Sequence, residues 1–212
     1  MKKKVSIIDY GLGNLFSVKQ ACKSVGLDPF ITADPDDVLS ADMVILPGVG
    51  AYGIAMENLE KAQIISSLKE FIQTGKPFVG ICLGMQLMLT ESIEFGINKG
   101  LNFIPGKTKK FEPISIDNEN FTVPQIQWNQ LKKSNSIHKD HFFNFINNGD
   151  FMYFVHSFYC VLDDSNMVIA STNYSGIEYP SIIQNNNCIG IQFHPEKSGQ
   201  TGLEIYKKLL KF

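Results

Sequence analysis

The first half of this chain alternates short, uniformly apolar runs with helical segments. "VSIIDY" (5–10), "DPFIT" (28–32), "DMVILPGVG" (42–50) and "PFVGI" (77–81) read as strands. Between them, 15–26, 54–73 and 83–91 carry helical spacing, with Leu15 or Phe16, Val18, Ala21, Cys22 and Val25 sharing one face of the first. A strand that is apolar on both sides must be covered on both faces. Alternation of such strands with helices therefore predicts a mostly parallel sheet between two helical layers. From about residue 101 the texture changes to short, period-two pieces with Pro and Gly, such as "DFMYFVHSFYCVL", "NMVIASTNYS" and "CIGIQFHP". These add an antiparallel portion, closed by a helix over 201–211. Residues 132–150 are polar and interrupted and read as a surface excursion. No repeat or linker divides the chain, so 1–212 reads as a single domain.

Composition narrows the function classes. A net charge of −2 over 212 residues favours neither nucleic acid nor an anionic membrane. The longest apolar stretches, 43–56 and 77–90, are cut by Pro and Gly and fall short of the roughly 20 residues of a membrane helix. The basic start, "MKKKVSIIDYGLGN", meets Asp9 and glycines too soon for a signal peptide, which makes the cytoplasm the expected compartment. Cys22, Cys82, Cys160 and Cys188 are far apart and lack CxxC spacing, so neither a disulfide framework nor a metal site is expected. All 19 basic residues are lysine. Without the arginine fork, a small acid would be held by backbone amides and neutral side chains. "DYGLGN" (9–14) lacks the third glycine of a dinucleotide loop, and no cofactor is expected.

Of the four cysteines, Cys82 has unusual surroundings. It ends an apolar strand, begins a helix and lies between Gly80 and Gly84. That is the strand-to-helix elbow that crowds a nucleophile against small neighbours. It presents the thiol at the carboxyl end of the sheet, near a helix N-terminus that favours thiolate, with the Leu83 N–H aimed at a developing oxyanion. The same residues also fit a buried cysteine beside packing glycines. A thiol nucleophile needs a base. His138 and His141 fall in the polar excursion and are expected in solvent, and His156, inside "MYFVHSFY", reads as a structural strand histidine. His194 ends the strand "CIGIQF" and precedes Pro195-Glu196. In extended chain, residues i and i+2 share a side, so Glu196 can orient the imidazole. "LPGVGAYG" (46–53) supplies a bare-backbone loop near the same edge, suited to oxyanion donation or to a plain turn.

"GICLGMQ", "PGVG", "YFVHS" and "FHPEKSG" together resemble the class I, triad-type glutamine amidotransferases, and within them the glutaminase subunits of imidazole glycerol phosphate synthase. The resemblance implies a flavodoxin-like three-layer glutaminase fold. It implies Cys82 as nucleophile, His194 as base and acid, and Glu196 as orienter. Leu83 and the Val49–Gly50 peptide would form the oxyanion hole, and Gln86 would contact glutamine. Asn14, Trp128, Tyr153 and Lys197 would face a (β/α)8-barrel cyclase that receives the ammonia. One segment departs from the pattern: "PQIQWNQL" (124–131) stands where Pro-His-hydrophobic-Gly-Trp-Asn is expected, so Gln125 and Gln127 replace His and Gly. That leaves open a paralogue supplying ammonia to amidate a surface sugar. A stand-alone thiol hydrolase and a non-catalytic binding module are the readings from other classes; Gln86 and "HPEKSG" speak against the first, intact Cys82, His194 and Glu196 against the second.

Overall fold

The computed structural model describes residues 2–112, 115–116, 119–134 and 141–211, with the backbone alone at 115–116 and 119–120. Strand β1 (Lys4–Ile8) leads through α1 (Leu15–Ser24) to β2 (Asp28–Thr32), and α2 (Pro35–Ser40) to β3 (Met43–Gly48). Helices α3 (Tyr52–Lys61) and α4 (Ile65–Gln73) precede β4 (Phe78–Cys82) and α5 (Leu83–Leu87). Then come β5 (Leu89–Ser92), β6 (Asn98–Lys99), β7 (Ile104–Lys110), β8 (Ser115–Ile116), β9 (Glu119–Asn120), β10 (Gln125–Gln130), β11 (Lys132–Lys133) and β12 (Phe151–His156). The remainder is β13 (Phe158–Leu162), β14 (Val168–Tyr174), β15 (Ile177–Asn185), β16 (Cys188–Ile191) and α6 (Gly199–Leu209).

The main sheet runs β11-β14-β15-β16-β4-β3-β1-β2. Its β16-β4-β3-β1-β2 half is parallel and its β11-β14-β15-β16 half antiparallel. Strand pleating divides the apolar runs between two cores. Val5, Ile7, Met43, Ile45, Val79 and Ile81 pack with residues of α1 and α6, while Ile8, Val44, Leu46 and Phe78 pack with α3, α4 and α5. This is the expected three-layer arrangement. Beside it lie a small sheet, β13-β7-β5-β6, and the antiparallel pair β10-β12.

Three local expectations change, and the open choice on α1 is settled. The helix expected over 54–73 is two helices, because Gln63 adopts φ 55° and Ile64 N–H returns to the Leu59 carbonyl at 3.3 Å, a left-handed cap built without glycine. The helix expected over 83–91 stops at Leu87, since the chain turns to pair Leu89 with Ile104. On α1 it is Leu15 that packs inward, leaving Phe16 70% exposed. In the expected surface excursion, β11 pairs with β14, and Phe143 and Ile146 are buried in the core. His141 there is half-buried and accepts the Phe143 N–H at 3.1 Å instead of standing in solvent. His138 lies outside the described residues.

Candidate active site

The elbow forms as its sequence requires. A side chain at Gly84 would land on the Leu46 carbonyl, and one at Gly80 on the Met88 sulfur and the Gly84 carbonyl. Cys82 itself holds φ 55°, ψ −110°, a conformation costing a side-chain-bearing residue about 1–3 kcal/mol. Packing of the flanking glycines against β3 and α5 holds it there. The thiol lies at the carboxyl end of β4, against the Val155 carbonyl at 3.7 Å and the Gln192 side-chain nitrogen at 4.0 Å. It lines a cleft of ≈ 250 Å³ together with Val49, Gly50, Leu83, Gln86, Glu94 and the 155–158 segment.

Strands β16 and β4 are parallel neighbours, with Ile191 opposite Ile81, and this brings His194 beside the thiol. The His194 backbone is pinned by its N–H on the Tyr153 carbonyl (2.9 Å) and by Ser198 Oγ on its own carbonyl (2.7 Å). The extended His-Pro-Glu expected from sequence is instead a 3-10 turn over Pro195–Lys197, which curls Glu196 back beneath the ring. His194 Nδ1 donates to Glu196 Oε1 at 2.8 Å, a buried contact that fixes the tautomer. His194 Nε2 is buried with no hydrogen bond, leaving it available to a proton. Burial pushes this imidazole down, but the nearby Cys82 sulfur and the Glu196 carboxylate outweigh it and raise its pKa to about 10. Asn14, expected toward a partner, also reaches inward, donating from Nδ2 to Glu196 Oε1 at 3.2 Å.

The PGVG loop runs from β3 over the elbow. Gly50 has φ +104°, open to glycine at no steric cost, and Tyr10 Oη braces the loop on the Pro47 carbonyl at 2.8 Å. Gln86 Nε2 donates to the Phe158 carbonyl (2.8 Å) and to Gln192 Oε1 (3.1 Å), so its position is set by β13 and by the turn after β16. Away from the thiol, Lys197 lies over the Tyr153 ring at 6.0 Å, and Trp128 meets that ring edge-on at 6.1 Å while 50% exposed. Trp128, Tyr153 and Lys197 thus form one surface group, and Asn14 belongs with the His194–Glu196 pair.

Two cleft residues escaped the sequence reading. Glu94 reaches the cleft because β5 and β6 fold back, and its Oε2 accepts the Tyr52 N–H at 2.6 Å. His156 is buried in a strand as expected, yet it also lines the cleft, with Nδ1 2.8 Å from the Phe158 carbonyl. Its period-two position in "MYFVHSFY" was the available signal. Among the described residues no His, Cys, Asp and Glu group is arranged to hold a metal, and no helix is long and apolar enough to cross a membrane.

A thiol set beside a carboxylate-backed imidazole has the geometry suited to acyl transfer through sulfur. The chain belongs to the glutamine amidotransferase class-I family, whose model matches residues 6–211. It is 44% identical over 206 residues to the imidazole glycerol phosphate synthase subunit HisH of Geobacter metallireducens, covering 96% of this chain and 95% of that one. HisH 1 of Legionella pneumophila (strain Paris) is 40% identical over 210 residues, 98% of each chain. Among solved structures, PurLQS from Thermotoga maritima superposes with a TM-score of 0.73 at 21% identity, over 100% of this chain and 99% of the other. A further glutamine amidotransferase crystal structure gives 0.71 at 14% identity, over 98% and 99%. These two likenesses bear on the fold.

Proposed function

We propose that this chain is one amidotransferase domain that hydrolyses L-glutamine in the cytoplasm. It passes the ammonia to a (β/α)8-barrel cyclase partner making imidazole glycerol phosphate and the aminoimidazole carboxamide ribotide of histidine biosynthesis. One observation carries the reading: the strained Cys82 elbow faces a His194 that Glu196 holds by Nδ1, in a cleft whose far end offers the Glu94 carboxylate. Glu94 suits an α-ammonium, and the backbone of 157–158 with Gln86 suits the other polar groups of an amino-acid substrate.

The steps follow from that placement. The Cys82 proton rests on His194 Nε2, within the imidazolium that Glu196 favours, and the sulfur adds to the side-chain amide carbon. The resulting oxyanion is met by the Leu83 N–H, unpaired at the start of α5, and by the N–H of the Val49–Gly50 peptide once that peptide faces the cleft. The C–N bond breaks, the nitrogen leaves with the His194 proton as ammonia, and a γ-glutamyl thioester remains. Water then gives its proton to His194, attacks the thioester, and glutamate departs with the thiol restored. The exposed Trp128–Tyr153–Lys197 group supplies the docking face for the barrel. Gln125 points inward, so the departure from the family pattern changes that face only at Gln127.

The test is genetic. This chain and its own barrel partner, expressed in a bacterium lacking the histidine-pathway glutaminase, restore growth without histidine at low ammonia, and Cys82→Ala does not. Soluble chain that releases glutamate yet gives no growth would sink the pathway assignment. A Cys82→Ala variant with near-normal glutamate release would sink the nucleophile.

A further inference from the structure

Two polar side-chain atoms are buried without a hydrogen-bond partner: Nε2 of His156, which lines the cleft, and Nε2 of Gln125. Their residues stand directly opposite each other across the antiparallel β10–β12 pair. Such residues have Cβ atoms about 4.5–5.5 Å apart and interact side by side. What each atom can do is set at the other end of its side chain. His156 Nδ1 lies 2.8 Å from the Phe158 carbonyl, which accepts only, so Nδ1 carries the hydrogen. Burial holds this imidazole down to about 4, so it is neutral and Nε2 is a bare acceptor. Tyr179 Oη donates to Gln125 Oε1 at 2.8 Å, which turns the amide's donor end the other way. The rest of the His156 surround is the rings of Phe111, Phe154 and Tyr179 at 5.3–5.8 Å, and the Tyr179 hydroxyl is already committed to Gln125. The charged His194 imidazole also faces His156 and opposes its protonation.

We infer that Gln125 is a positioning residue for the cleft: its amide donates to His156 Nε2 through one buried water, and holds His156 as the Nδ1–H tautomer that grips the Phe158 carbonyl. This rests on the glutaminase reading and goes beyond it. The Phe158 carbonyl also receives Gln86, Gln86 holds Gln192, and Gln192 reaches the Cys82 sulfur. A side chain remote from the thiol thereby sets the wall on which the substrate lies. The same strand carries the exposed Ile126 and Trp128, so force applied at the docking face arrives at this amide.

The tautomer is read by ¹⁵N-histidine NMR on the full chain, independently of turnover. In the parent protein His156 shows hydrogen on Nδ1. In Gln125→Glu, which keeps the volume and the Tyr179 bond but sets a carboxylate against Nε2, Nε2 gains a hydrogen while Nδ1 keeps its own, as Glu196 favours the imidazolium of His194. Glutamine KM rises roughly five- to tenfold in Gln125→Glu and Gln125→Leu with kcat within about twofold, the effect of one lost hydrogen bond. Gln125→His, which restores an N–H donor, returns KM toward the parent value. A parent-like tautomer in Gln125→Glu overturns the inference whatever KM does. So does a raised KM in Gln125→Leu that Gln125→His fails to rescue. Should Gln125→Leu not fold, the Glu variant carries the test alone. Loss of the Cys82 role would instead remove the glutaminase reading and leave the tautomer result standing.

Discussion

The two buried histidines near Cys82 are nearly the same residue in burial and geometry, and they behave in opposite ways. His194 and His156 are both buried, each engages Nδ1 at 2.8 Å, and each leaves Nε2 without a hydrogen bond. The partner differs. Glu196 behind His194 is a carboxylate and Cys82 stands in front, so the imidazolium is favoured and the pKa rises to about 10. Phe158 offers His156 only a carbonyl and its neighbours are aromatic rings, so burial wins and the pKa falls to about 4. Burial alone therefore does not decide whether a histidine here is charged or neutral; the charge within reach does.

The sharpest way to break the contrast is to make His194 resemble His156. Glu196→Gln replaces the carboxylate by an amide and loosens the tautomer. We expect kcat for glutamine hydrolysis to fall roughly 10³–10⁴-fold, the scale seen when a triad acid is neutralised. Steady-state glutamate release checks it, and a loss under tenfold would show that Glu196 does not govern His194.

Stability against pH separates the two histidines next. His156 has a folded pKa below its unfolded value, so above about pH 6.5 both states are neutral and nothing is lost. Between that and about pH 4 the unfolded chain takes a proton that the folded one refuses, and stability falls by about 3 kcal/mol. His194 runs the other way. Its folded pKa lies above the unfolded one, so its contribution is present below about pH 6.5 and fades as pH climbs to about 10. Urea midpoints across pH test both: His156→Phe flattens the acid limb, and Glu196→Gln weakens the alkaline one. An acid limb unchanged by His156→Phe would refute the first assignment.

The smallest effect is expected at Asn14, which donates to the oxygen that also binds His194. Asn14→Ala removes one hydrogen bond to a buried carboxylate. A severalfold drop in kcat with KM unchanged follows, from a loss of about 1 kcal/mol. Unaltered turnover with disrupted partner binding would return Asn14 to the docking face alone.

What was readable in the sequence tracks how local each cause is. The parallel strands stood out because their apolar runs need no partner to be recognised. Cys82 stood out because both glycines that make room for it are two residues away. Helix α2 begins with Asp34-Pro35, an N-cap and first-turn pair whose carboxylate accepts the Asp36 N–H, but six residues are too short for a periodic signal. The break at Gln63 has no Gly or Pro to announce it, and only the packing of α4 requires it. Glu94 and Gln125 matter through strands that fold back from distant positions. The His194–Glu196 pairing was expected for the right residues by the wrong backbone, since a tight turn, not an extended chain, sets them together.

That β16 slots between β15 and β4 has a consequence for how the protein is made. The residue of the Gln192 turn that touches Cys82 follows it by 110 positions in the chain. A ribosome has released the thiol elbow long before it supplies β16 and the turn after it that holds His194, and closing a loop of that length is a late, entropically costly event. Until then β4 has an unpaired edge and its cysteine has no proton acceptor. The Cys82–His194 contact forms with the insertion of one strand, so a chain that stalls or misfolds short of that point carries the thiol without the imidazole beside it.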